Sequence, residues 1–188
     1  KAARAYYREF ERQQEDLPSD KRRSVGIIFS YAPNDEAPGT GLLAEESMDP
    51  SALSHDDRAF LDDAIATYND RFGTNFGTDA SGFENYYEHL SKALTEKRID
   101  LVIVVDMFLT GFDSKTLNTL WVDKNLHAHG LIQAFSRTNR ILNSVKTYGN
   151  IVCFRNLEEE TNEAIALFGN KEARSQVLLR PYREYLDK

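Results

Sequence analysis

The 188-residue sequence has a single cysteine, Cys153, set inside the apolar run Ile151-Val152-Cys153-Phe154. One thiol cannot build an intrachain disulfide framework or a cysteine-based zinc site, and it fits a reducing, cytoplasmic setting. No apolar stretch approaches the roughly 18 residues a membrane span needs, so no membrane partner is expected. The opening Lys1-Ala2-Ala3-Arg4 has neither a signal-peptide pattern nor an initiator Met, and the chain reads as a segment excised from a longer one. Two nucleotide-binding signatures are also missing: a Gly-x-x-x-x-Gly-Lys-Ser/Thr phosphate loop and an Asp-Glu-x-His magnesium motif. There is no internal repeat and no low-complexity tract. A net charge of −7 argues against a protein that coats nucleic acid over its whole surface, because phosphate binding rests on clustered Lys and Arg.

What is present suits one folded domain. Hydrophobic residues make up 41% of the chain and aromatic residues 11%, enough for a core and unlike a disordered composition. Charge is unevenly placed. From Ser114 to Thr147, Lys115, Lys124, Arg137, Arg140 and Lys146 face Asp123 alone, so a segment of +4 sits in a chain that is otherwise −11.

Residues 2–15 carry Tyr6 and Phe10 at helical spacing, and Leu17-Pro18-Ser19-Asp20 ends that lead-in helix. Val25–Ser30 reads as a buried strand, followed by a long polar loop from Tyr31 to Ser54. Ser54 with Asp57 resembles a capping box, and Phe60, Leu61, Ala64, Ile65, Tyr68 and Phe72 repeat on one helical face until Gly73. A second helix is expected from about Gly82 to Lys97, with Phe83, Tyr87, Leu90 and Leu94 inward. Leu101–Val105 is a continuous β-branched run of the kind found in parallel strands buried on both faces. Leu117–Val122 and Ile151–Phe154 read as further strands, with a helix from about Gly130 to Arg140 between them. From Leu157 onward the pattern is mainly helical, interrupted by Pro181. Alternating strands and helices imply an α/β fold with a doubly wound parallel sheet, flanked by helical N- and C-terminal extensions. Ligands of such a fold gather at the carboxyl ends of the strands.

Two stretches carry candidate chemistry. Asp106-Met107-Phe108-Leu109-Thr110-Gly111-Phe112-Asp113 begins where a buried strand ends. Gly111 permits a turn a β-carbon would obstruct, and Asp113 offers a carboxylate to a hydroxyl or water. The same residues would also serve a plain strand-to-strand turn. In Gln133-Ala134-Phe135-Ser136-Arg137-Thr138-Asn139-Arg140, helical spacing puts Gln133, Arg137 and Arg140 on one face, with Leu131, Ile132 and Phe135 able to turn toward the sheet. Two guanidinium groups beside an amide make a phosphate clamp, since each planar fork bonds two oxygens and stays charged. A solvated, salt-bridged helix face is the plainer alternative.

Together these stretches resemble motifs V and VI of superfamily-two helicases and translocases. With Leu117-Asn118-Thr119-Leu120-Trp121-Val122-Asp123-Lys124-Asn125 between them, residues 100–157 resemble the restriction (R, motor) subunit of type I restriction-modification enzymes. Ile27-Ile28-Phe29-Ser30-Tyr31 is similar to its motif IV strand. The resemblance implies the second RecA-like domain of an ATP-dependent double-stranded DNA translocase. It places a lead-in helix at 1–20, the motor domain with motifs IV, V and VI at 21–156, and a helical extension at 157–188. It implies that Arg137 and Arg140 act as arginine fingers on the γ-phosphate, and that Gln133, Gly111 and Asp113 lie close to the nucleotide. ATP and Mg2+ would be held mainly by the first RecA-like domain of the parent chain, so this segment by itself is expected to be inactive. Ser136 and Asn139 depart from the glycines that often flank the first arginine in the broader helicase pattern. Thr110, Lys115 and Ser30, near strand ends, are candidates for DNA-backbone contact, and the methyltransferase and specificity subunits are implied as partners.

Two other readings are available from the residues. Asp113-Ser114-Lys115, with Asp106, echoes the Asp/Glu-x-Lys element of metal-dependent nucleases. His127-Ala128-His129 offers two ligands without a third at recognisable spacing. A non-catalytic module docking DNA or partner subunits would use Tyr86-Tyr87 and the loop from Tyr31 to Ser54, which otherwise read as core aromatics and a surface loop.

Overall fold

The computed structural model describes residues 2–29, 53–105, 107–108 and 112–168. Helix α1 (Ala2–Arg12) leads into strand β1 (Val25–Phe29), and α2 (His55–Phe72) and α3 (Ala80–Thr95) precede strand β2 (Leu101–Val105). Then follow β3 (Thr119–Val122), α4 (Ala128–Ser136), β4 (Asn150–Cys153) and α5 (Glu158–Phe168). The fold is α/β with parallel pairing throughout the described strands. β1 pairs with β2 from Val25↔Leu101 to Phe29↔Val105, and β3 with β4 from Thr119↔Asn150 to Val122↔Cys153. The described strands thus form two parallel pairs, each with the helical crossover that parallel neighbours require. Most of the loop expected from Tyr31 to Ser54 and the C-terminal stretch with Pro181 lie outside the described residues.

The first strand pair is pinned at its start by side chains. Ser24 donates from both its backbone N–H and its hydroxyl to the Asp100 carboxylate, each at 2.8 Å, and the Asp100 N–H returns to the Ser24 hydroxyl at 2.9 Å. The residues following these two are the first register partners, so the exchange sets the pairing. All five β1 residues are buried. β2 is only half-buried, contrary to the two-face burial its β-branched run suggests.

Helix α2 follows its sequence signals. The Ser54 hydroxyl accepts from the Asp57 N–H at 3.2 Å, and Phe60, Leu61, Ala64, Ile65 and Tyr68 are buried. Gly73 ends the helix in the left-handed region at φ 66°, where a β-carbon would be strained. Helix α3 is rotated from expectation. Tyr86 and Ala93 take the inward places, with Phe83 and Leu90, while Tyr87 and Leu94 lie half-buried at the edge. Tyr86 is fully buried and its hydroxyl donates to the Ile27 carbonyl at 2.9 Å, which removes it from any docking surface. In α1 the buried ring is Tyr7, edge-on to Phe60 at 5.7 Å, whereas Tyr6 is exposed.

The apolar side chains form two clusters. One joins α1, α2, α3, β1 and β2 with Met107, Phe108 and Phe112; the other gathers Val122, Leu126, Leu131, Ala134, Leu157 and Ala164. Tyr6 bridges them, its hydroxyl donating to Asp123 at 2.9 Å and its ring stacking on Phe154 at 6.3 Å. β4 is exposed along its length, Cys153 included, so its apolar run does not mark a buried strand among the described residues. No helix among the described residues is long and apolar enough to cross a membrane.

Candidate functional site

The chain leaves β2 through Met107, which is fully buried, and Phe108, whose φ of 60° is uncommon for a bulky side chain. Phe108 is held there by packing, with Tyr87 on one side and Phe112 on the other, each ring centroid 4.8 Å away. Phe112 is buried, and Asp113 immediately after it is exposed. Ser114 is buried with its hydroxyl 2.8 Å from that of Thr116, and Thr116 in turn donates to the last carbonyls of α3. The turn is thereby fixed on both sides of Asp113, while Lys115 is exposed.

Helix α4 supplies the second half of the site. Leu131 and Ala134 seat it in the second cluster, with Ile132 and Phe135 packed at the margin. The helix stops at Ser136, and Arg137 is its C-cap residue. Arg140 therefore lies beyond the helix, and the expectation that Gln133, Arg137 and Arg140 share one helical face fails for Arg140. The cause is tertiary. Thr138 is fully buried, the Lys146 ammonium bonds the carbonyls of Thr138 (3.0 Å) and Arg140, and Gly149 packs directly on Thr138. Those contacts draw the chain out of helical geometry.

The two arginines nevertheless converge on the turn after β2. Arg137 Nη1 donates to the Phe112 carbonyl, and Arg140 Nε sits 3.0 Å from Asp113 Oδ1. Arg140 and Asp113 are about half exposed, whereas Arg137 is partly buried. Gln133 is half-buried, and its Oε1 is buried with no hydrogen-bond partner among the described residues. Thus Arg137 and Arg140 meet the Phe112–Asp113 turn, with Gln133 one helical turn before Arg137 on α4 and Lys115 two residues after Asp113. Thr110, Gly111, Asp106 and Ser30 lie outside the described residues. Asp113 is engaged with a guanidinium, an arrangement unlike a carboxylate reserved for a metal. His127 is the N-cap residue of α4, with His129 in its first turn. Sequence reasoning missed Lys146 and Gly149 as parts of this region. Lys146 stood out only as one of five cations, and nothing local marks it as buried.

The fold and site define an α/β domain in which two arginines at the end of one helix meet the turn beyond a parallel strand. The family model for type I restriction enzyme subunit R domain 3 matches residues 1–156. The chain is 41% identical over 184 residues to the endonuclease subunit of the type I restriction enzyme SauMRSORF196P of Staphylococcus aureus (strain MRSA252), covering 96% of this chain and 18% of that protein. It is 44% identical over 182 residues to the SsaAORF53P endonuclease subunit of Staphylococcus saprophyticus, with the same coverage. To the HindI endonuclease subunit of Haemophilus influenzae it is 33% identical over 103 residues, covering 50% of this chain and 10% of that protein. The chain belongs to the type I restriction enzyme R-subunit family. It spans about one-fifth of the length of the staphylococcal relatives.

Proposed function

We propose that this chain is the second RecA-like motor domain of an ATP-dependent double-stranded DNA translocase within a cytoplasmic type I restriction endonuclease. The supporting observation is the convergence of Arg137 and Arg140 on Phe112 and Asp113, the motif VI and motif V residues of the resemblance. Two guanidinium groups and an amide fit the anionic polyphosphate of ATP, because planar cationic forks match phosphate oxygens. They are the wrong donors for Mg2+, which prefers carboxylates and waters, and no acidic or histidine cluster able to hold a metal occurs among the described residues. In this reading the metal and most of the nucleotide belong to the first RecA-like domain of the longer protein. ATP supplies the γ-phosphoryl group whose negative charge spreads as it is transferred.

Arg140 is the residue best able to reach that charge. Its head is half exposed and, among the described residues, held by a surface ion pair, so it can exchange Asp113 for phosphate oxygens. Arg137 sits deeper and braces the motif V turn through the Phe112 carbonyl. Gln133, Gly111 and Asp113 lie close to the nucleotide, as the resemblance implies. Lys115, Thr110 and Ser30 meet the DNA backbone, and the methyltransferase and specificity subunits bring the motor to its site. Fingers of this kind are worth about 10³ to 10⁵ in rate in phosphoryl transfer.

The test is made in the full-length subunit assembled with its partners. Arg137→Ala or Arg140→Ala is expected to abolish DNA-stimulated ATP turnover and translocation while DNA loading persists. Lysine is expected to rescue poorly, since a point charge does not reproduce the planar fork. Near-normal turnover in both alanine variants would overturn the proposal. The 188-residue chain alone is expected neither to hydrolyse ATP nor to cut DNA.

A further inference from the structure

Lys146 belongs, by sequence, to the basic segment from Ser114 to Thr147, where a lysine is expected to meet a phosphate from outside. The structure puts it inside. The residue is 8% exposed, and its ammonium donates to the carbonyls of Thr138, at 3.0 Å, and of Arg140. Burying an ammonium is unfavourable unless its hydrogen bonds are replaced, and an apolar side chain would fill the same space without that penalty. What an apolar side chain could not do is hold two carbonyls separated by one residue in a fixed orientation. Those carbonyls flank Asn139 and end on the backbone of Arg140, just past the end of α4, where orphan carbonyls gather and a cation is favoured.

The surrounding loop is built to the same end. Asn143 Oδ1 accepts from the N–H groups of Val145 (2.9 Å) and Lys146 (3.1 Å), and the Lys146 carbonyl accepts from the Leu142 N–H at 3.1 Å. Lys146 is thus held by its own turn before it holds anything else. Gly149 approaches the Thr138 carbonyl so closely that a β-carbon there would stand 2.2 Å from its oxygen. Thr138 is thus in contact with both Lys146 and Gly149. The arrangement leaves Arg140 with an immobilised backbone and a half-exposed head, 3.0 Å from Asp113.

We infer that Lys146 is a positioning residue for the paired-arginine site: by bonding the Thr138 and Arg140 carbonyls it fixes the backbone from which Arg140 reaches the transferring phosphate. The inference rests on the proposed arginine-finger role. Its test uses the full-length subunit in its assembled complex, with kcat and KM for ATP measured separately under DNA stimulation. Lys146→Met is expected to lower kcat about 10- to 100-fold with KM changed less than about threefold, because a displaced finger loses transition-state contact rather than ground-state binding. Lys146→Arg, which can still donate to both carbonyls, is expected to recover part of that loss. Placed on an Arg140→Lys background, which keeps a weak but measurable turnover without the planar fork, Lys146→Met is expected to cost almost nothing further, since the two act through one group.

The outcomes separate the inference from the reading beneath it. If Arg140→Ala abolishes turnover while Lys146→Met leaves kcat intact, Lys146 positions nothing and the inference is overturned with the finger role standing. If both variants turn over ATP normally, the finger role itself has failed and takes the inference with it. A Lys146→Met loss that multiplies in full on the Arg140→Lys background also overturns the inference, since it marks general damage to the fold. Should Lys146→Met fail to fold, Asn143→Ala serves instead, because that side chain is exposed and its loss only loosens the turn. It is expected to lower kcat about three- to tenfold at unchanged KM, and an unchanged kcat would overturn the inference.

Discussion

Arg140 Nε lies 3.0 Å from Asp113 Oδ1, yet both side chains remain about half exposed. Exposed ion pairs of this kind contribute about 0–1 kcal/mol, because solvent screens them and two long side chains are ordered to make them. Arg137 differs in kind: it is partly buried and its guanidinium is tied to the Phe112 carbonyl. Two arginines that look equivalent in the sequence are therefore expected to separate in stability. Arg140→Ala is expected to change unfolding free energy by no more than about 0.5 kcal/mol, whereas Arg137→Ala is expected to cost about 1–3 kcal/mol by leaving the part-buried Phe112 carbonyl without its donor. Urea unfolding of the two variants beside the parent protein makes the comparison. Equal stability of the two would mean that the Arg137–Phe112 bond holds nothing in place.

A second expectation comes from the end of α3. The Arg98 N–H reaches the Ala93 carbonyl at 2.8 Å and the Lys97 N–H reaches Leu94 at 3.3 Å, the paired bonds of a Schellman ending. Lys97 occupies the left-handed position of that motif at φ 60°, where glycine is favoured and a β-carbon is strained. Lys97→Gly is expected to stabilise the fold by about 0.5–1 kcal/mol, less the added entropy of the unfolded glycine. A fall in melting temperature would show that the Lys97 side chain contributes more than its backbone conformation costs.

The lock between the two first strands gives a pH dependence. Burial pushes the Asp100 carboxyl up, but the Ser24 N–H and hydroxyl, with Arg23 and Arg71, outweigh it and leave Asp100 below its ordinary value of 3.8. A carboxyl lowered in the folded state stabilises the fold fully above its unfolded value, and that contribution is lost as pH falls through the lowered folded value. Asp100→Ala is expected to be destabilising at neutral pH, by about 1–2 kcal/mol from the lost hydrogen bonds to Ser24. The gap between variant and parent is expected to narrow only in the acid limb. A gap that stays constant down to about pH 2 would contradict an ionised Asp100 as its source.

How much of this was legible before the fold follows from which interactions are local. The ends of α2 were, because Ser54 and Gly73 act within a few residues of themselves. On α3, Phe83 and Leu90 are inward as expected, but Tyr87 and Leu94 yield to Tyr86 and Ala93, since adjacent tyrosines at 86 and 87 fit the same apolar stripe and Tyr86 is selected by the Ile27 carbonyl and the Tyr68 ring. The end of α4 was not legible. Helical periodicity runs on to Arg140, and what stops the helix is Lys146 and Gly149, side chains and backbone arriving from beyond it. The exposure of β4 was hidden for a related reason, because an apolar run gives the composition of a strand but not its neighbours. At the site, Asp113, Arg137 and Arg140 were legible as residues, although their meeting rests on a bend rather than on a shared helical face.

The basic segment bears on DNA binding, and the structure alters its bookkeeping. Five cations face one acid from Ser114 to Thr147. Lys146 is buried on backbone carbonyls and Arg137 is tied to Phe112, whereas Lys115 is exposed beside the site. Binding of the chain to duplex DNA is expected to be weak, indifferent to sequence and steeply reduced by salt, since phosphate contacts release counterions and carry no base information. Each phosphate neutralised contributes a slope of about 0.9 in log affinity against log salt, so Lys115→Gln is expected to flatten that slope by roughly one contact. Lys146→Met removes the same formal charge and is expected to leave the slope unchanged, because a buried ammonium meets no phosphate. Fluorescence anisotropy with a labelled duplex, titrated from low to moderate salt, compares the two variants directly. Tight binding that ignores salt, or a slope lowered as much by Lys146→Met as by Lys115→Gln, would show that proximity along the chain, rather than exposure in the fold, decides which cations reach DNA.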